Sequence, residues 1–126
     1  MKLIDANVVL RYLLNDHPDY SVKAKNLLEN EDNLLLIEVI AEIVYVLQGV
    51  YQIPRPVICQ SIKSLASLEK LEINHSEIVI KAVELYAELN IDFIDCVLIA
   101  YHKCQNIGIN TFDKKILKYI TQATSL

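Results

Sequence analysis

Short apolar runs alternate with longer amphipathic stretches along this chain, and that alternation limits its folds more than any other feature. Residues 2–5, 34–37, 71–74 and 107–110 each read as a brief strand. The run 34–37 is apolar without a break, as expected of a strand buried on both faces. Helical patterns fill the intervals: 8–14, a second helix opening near Pro18, then 39–48, 54–68, 76–89, 92–106 and 113–120. Gly49 is expected to close the third of these helices and Ser76 to cap the fifth. Residues 29–33 read as a polar turn. Strands that alternate with helices imply a mostly parallel sheet flanked by helices.

The 126 residues contain no linker, repeat or low-complexity tract, so 1–126 reads as a single domain. Hydrophobic residues make up 53% of the chain, which excludes disorder. The longest apolar candidate, 34–47, is broken by Glu38 and Glu42, which argues against a membrane span. The opening M-K-L-I-D meets an acid at once and is unlike a signal peptide. Cys59, Cys96 and Cys104 form no metal-type pair and read as reduced core thiols. Together these features predict a cytoplasmic setting. The net charge of −4 argues against a general nucleic-acid binder. A polyanionic substrate would need local basic residues and a cation.

The segment 90–100, N-I-D-F-I-D-C-V-L-I-A, places Asp92 and Asp95 at the mouth of a helix expected to be buried nearly all round. Both acids suit helix capping, Asp92 as N-cap and Asp95 in the first turn. Other acids fall where capping does not explain all of them. Asp5 and Asp113 each follow a predicted strand end. Glu42 lies one turn into the helix after another strand, among apolar neighbours that leave it few directions toward solvent. In open parallel sheets, sites form beyond the carboxyl ends of the strands. Asp5, Glu42, Asp95 and Asp113 can therefore converge. Two such charges about 4 Å apart oppose each other by roughly 4 kcal/mol at an effective dielectric near 20. A cluster of this kind shares protons or binds cations. Oxygen-only ligands select hard ions such as Mg²⁺ or Mn²⁺, which suit phosphoryl chemistry.

Four segments then carry a family resemblance. I-D-A-N-V-V-L-R at Asp5, V-I-A-E-I-V-Y-V-L at Glu42, D-C-V-L-I-A at Asp95 and N-T-F-D-K-K-I-L at Asp113 resemble, in order, the motifs of the PIN domain. Within that family the chain resembles the small VapC-type toxin nucleases of prokaryotic toxin–antitoxin pairs. Cys96 replaces a common alanine of similar volume. Asp92 is an additional acid, either an auxiliary metal ligand or a plain cap. The resemblance implies a three-layer α/β/α sandwich and a Mg²⁺- or Mn²⁺-dependent endoribonuclease. It also implies a homodimer held inactive by a cognate antitoxin. Asn7 and Thr111 would orient the acids, with Thr111 also a possible cap of the last helix. Arg11, Lys114 and Lys115, with Lys103 and Lys118 nearby, could contact RNA phosphates. Tyr12, Leu13, Val46, Val50 and Tyr51 could form an exposed apolar patch for self-association or the antitoxin. Two rivals remain. One is a non-catalytic interaction module on the same fold. The other is a phosphatase of the haloacid dehalogenase type, which needs a second aspartate where Asn7 stands.

Overall fold

The computed structural model describes the backbone of residues 1–124 and side chains through Ile120. Three strands, β1 (Lys2–Leu3), β2 (Asn33–Leu35) and β3 (Leu71–Ile73), form a parallel sheet in the order β1-β2-β3. Helices α1 (Ala6–Leu14) and α2 (Tyr20–Asn30) connect β1 to β2. Helices α3 (Ile37–Gly49) and α4 (Arg55–Ala66) connect β2 to β3. Helices α5 (Ser76–Glu88), α6 (Phe93–Gln105) and α7 (Lys114–Thr124) follow. The result is the expected α/β sandwich. Helix α5 packs on α4 and α6, α1 on α2 and α3, and α6 on α3 and α7.

The central strand is anchored from both sides. Leu35 of β2 is fully buried. The buried Asn33 side chain donates to the carbonyls of Leu27 (2.9 Å) and Glu31 (3.2 Å), which ties the end of α2 to the start of β2. Helix α3 begins at Ile37 because help comes from the neighbouring strand. Leu36 has no polar side chain to cap it, and Asn74, just past β3, accepts the Ile37 N–H at 2.7 Å. That contact satisfies one of the donors a helix start leaves open. It also sets where α3 leaves the sheet, and so where Glu42 lies.

Several sequence expectations give way. Residues 107–110 form no strand. Asn106 ends α6 in a left-handed conformation, and the His102 Nδ1–H donates to the Ile107 carbonyl at 2.8 Å. Strand β1 is an edge of the sheet, and Leu3 is 68% exposed rather than buried. Helix α6 is not apolar all round in its setting: Ile94 and Leu98 are exposed, while Phe93, Cys96, Ile99 and Ala100 face the core. Gly49 is the last residue of α3; Val50 follows in right-handed geometry and closes it. His75 rather than Ser76 precedes α5, in a left-handed conformation. Pro18 lies ahead of α2, and the polar turn shrinks because α2 runs to Asn30 and β2 starts at Asn33. Cys59 and Cys96 are buried free thiols and Cys104 is half-buried. Burial pushes the Cys96 thiol up to about 12, which keeps it protonated and inert.

The contrast between centre and edge is measurable. Leu35→Ala should cost about 2–5 kcal/mol in urea unfolding. Leu3→Ala should change stability by about 0.5 kcal/mol or less. Similar losses at both positions would mean that β1 is covered in solution.

Candidate active site

Helix α6 follows a short turn after α5, and Asp92 is its N-cap residue. Its side chain nonetheless makes no capping hydrogen bond. Asp95 lies in the first turn and is half-buried, and it has no hydrogen bond or ion pair among the described residues. The reciprocal capping arrangement that these two acids could form is therefore not made. Asp113, by contrast, caps α7. Its Oδ1 accepts the backbone N–H of Lys115 at 2.8 Å and of Ile116 at 3.3 Å. Thr111 stands one step back: its Oγ1 accepts the Asp113 N–H at 3.0 Å, so it orients Asp113 and does not cap the helix itself.

These three aspartates line one open cleft of about 450 Å³, together with Arg55, Asn90, Ile91, Lys114 and Lys115. The Asp95 carboxyl is raised above its ordinary value. Burial is the main cause, followed by the negative charges of Asp113 and Asp92; Lys115 works in the opposite direction. A second, more apolar cavity of about 270 Å³ adjoins the first through Asp92 and Asp95. Ala41, Val44, Tyr45 and Gln48 of α3 line it, with Tyr86, Phe93 and Ile94 opposite.

Asp5 and Glu42 do not line either cavity. Asp5 is the N-cap residue of α1, two residues beyond β1, and makes no side-chain capping bond. Glu42 is exposed, against the sequence expectation; Ile43 and Val44 take the buried directions of that turn. It neighbours Ala41, which lines the second cavity. Both carboxylates, like Asp92 and the Asn7 amide, are without a side-chain partner among the described residues. Arg11 is engaged elsewhere. Its Nη1 donates to both oxygens of Asp16 (2.8 and 2.9 Å), and its Nη2 donates to the Tyr51 hydroxyl at 3.1 Å.

Arg55 escaped the sequence reading. One signal could have found it: a cation at the first position of a helix opposes the dipole, so something outside the helix must hold it.

The donor set is compatible with a hard divalent ion. Among the described residues no three His, Cys, Asp or Glu side chains form a ready-made metal cage. Mg²⁺ needs none, since it keeps several waters and is usually held by one or two carboxylates and the substrate's phosphates. Asp95, which makes no hydrogen bond among the described residues, and Asp113, whose Oδ1 caps α7 while its Oδ2 makes none there, suit that pattern.

A comparison with protein-family models matches the PIN domain over residues 2–120. The chain belongs to the PIN domain family. PIN domains are generally nucleases that use divalent metal ions, and the match covers every segment that carries the four acids. The phosphatase reading, which belongs to another family, is left without support. Searches among curated proteins and among solved structures found no match. No helix of this PIN domain, among the described residues, is long and apolar enough to cross a membrane.

The raised Asp95 carboxyl has a consequence for stability. Its folded-state pKa exceeds its unfolded value, so the proton stabilises the fold fully below about pH 4 and that contribution fades as pH rises through the folded pKa. Asp95→Asn removes the titration. The metal-free variant should be as stable as wild type or more so at neutral pH, with a flatter decline above about pH 4. A capping role would instead cost about 1 kcal/mol. Thermal melts across the acidic-to-neutral range decide between them.

Proposed function

We propose that this PIN domain is an endoribonuclease of the VapC type, the toxin of a toxin–antitoxin pair. It acts with Mg²⁺ or Mn²⁺ held by Asp5, Glu42, Asp95 and Asp113. The observation that carries the reading is Asp95. It is a half-buried carboxylate without a protein partner, in a cleft shared with two further aspartates and rimmed by Arg55, Lys114 and Lys115. A carboxylate in such a place destabilises the fold unless a ligand offsets it. Decay toward a non-catalytic interaction module would be expected to remove one of the acids or to pair it.

The chain's own residues divide the work. Asp95 and Asp113 supply oxygen ligands, with Asp92 as the auxiliary acid. Asp5 and Glu42, on the helices that follow β1 and β2, would complete the acid set. A bound divalent ion would polarise a phosphate and lower the pKa of a water. Thr111 fixes the backbone of Asp113 through the 3.0 Å contact. Lys114 and Lys115 are exposed at the rim, where they can meet neighbouring phosphates. Phe112, next to Asp113, is 103% exposed, and its ring offers a face on which an RNA base can stack. Self-association as a homodimer draws support from Val50 and Tyr51, exposed at the end of α3, and from Tyr45 on its outer face. Tyr12, Leu13 and Val46 contribute less, being packed against the core.

Purified protein, freed of any partner, should cleave RNA with Mg²⁺ or Mn²⁺ and stop in excess EDTA. Asp95→Asn should abolish cleavage. It should also shrink the metal-induced rise in melting temperature, which for wild type reflects roughly 2.7 kcal/mol at 100 times the dissociation constant. Phe112→Ala should raise KM while leaving the fold intact. Cleavage that persisted in EDTA would refute the metal-dependent reading.

A further inference from the structure

Arg55 stands where an isolated helix would not favour it. As the first residue of α4 it faces the positive end of the helix dipole. No carboxylate compensates, for the ion pairs among the described residues are Arg11–Asp16 and Lys63–Glu84. Neutral groups hold it instead. Nη1 donates to the carbonyls of Tyr86 (3.2 Å), Leu89 (2.9 Å) and Ile91 (2.7 Å). The guanidinium carbon lies 4.0 Å from the centroid of the Tyr86 ring. These contacts fix the guanidinium plane and occupy one corner of it.

The opposite edge is unused. In a guanidinium, Nε–H and one Nη2–H project side by side and match two oxygens of a phosphate. Neither nitrogen has an acceptor among the described residues. Neither is sealed in the core, because the buried side-chain atoms without a partner there are Arg11 Nε and Tyr86 Oη. Arg55 lines the cleft of Asp92, Asp95 and Asp113. It is half-buried there, whereas the other two lining cations, Lys114 and Lys115, are exposed. A cation oriented before the ligand arrives loses less freedom on binding than an exposed lysine does.

We propose that Arg55 is a phosphate-binding residue of this site. Its Nε and Nη2 hydrogens take two non-bridging oxygens of one RNA phosphate. Its Nη1 meanwhile holds the turn between α5 and α6 that delivers Asp92 and Asp95. The assignment rests on the ribonuclease reading but makes a separate claim, since phosphate capture needs no metal and no cleavage.

The test uses the full chain and a short single-stranded RNA in EDTA. In wild type, the Arg55 Nε–H resonance should shift on RNA addition and its exchange with water should slow. Arg55→Gln should weaken binding about tenfold and reduce the slope of log affinity against log salt by about 0.7, the share of one single-strand phosphate. Arg55→Lys keeps the charge but not the fork, and should recover the slope but only part of the affinity. An unmoved Nε–H resonance in RNA-bound wild type overturns the proposal, and this reading holds even if the variants fail to fold. So does an Arg55→Gln protein that melts lower yet binds RNA with unchanged slope. If Arg55 responds to RNA but no metal supports cleavage, the phosphate site stands and the nuclease reading falls. If wild type neither binds nor cuts RNA, both fall.

Discussion

All strands of the sheet run the same way, so the chain leaves each of them at the same edge and the next helix starts there. That geometric constraint governs where chemistry can gather. Asp5 begins α1 just beyond β1, and Glu42 lies on the helix that follows β2. The Asn74 contact to Ile37 makes the second departure definite by linking the ends of β2 and β3. Helix α6 is not preceded by a strand, and its position depends on other contacts. Arg55, from the start of α4, gathers the carbonyls that end α5 and lead into Asp92.

The cleft that results is divided by charge. Three aspartates lie within it, and Asp95 feels the other two strongly enough to shift its carboxyl upward along with the effect of burial. Two lysines and one arginine share the lining with them, beside Asn90 and Ile91. With a net charge of −4, the protein has no global field to draw in a polyanion. Attraction has to be local, from the rim cations and from any ion the carboxylates hold. The carboxylates stay unpaired even though cations line the same space. Mutual neutralisation would leave fewer open ligands for a metal and a weaker hold on phosphate.

Much of this was legible from residue order. Alternating apolar runs and amphipathic stretches gave the parallel α/β architecture and every helix, because periodicity reports burial and burial dominates folding. The four acid motifs led to the PIN family. The strand expected at 107–110 does not form, and the His102 contact to the Ile107 carbonyl there leaves no mark in apolar periodicity. Leu3 is exposed on the edge strand β1. Arg55 was missed because its partners are backbone carbonyls more than thirty residues away, which leave no mark in sequence. The pairing of Arg11 with Asp16 and Tyr51 was likewise not legible, because it depends on how α1 ends. For Asp92 the sequence left two roles open, and its side chain makes no capping bond.

The central claim is that the carboxylates of this cleft form a divalent-metal site. Crystals soaked in Mn²⁺, with anomalous differences recorded at the manganese edge, test it directly. The account predicts a peak in the cleft within bonding distance of the carboxylates of Asp95 and Asp113, with Asp5 or Glu42 drawn toward it. No peak there at saturating Mn²⁺, or one confined to surface acids such as Asp16 or Glu84, would contradict it.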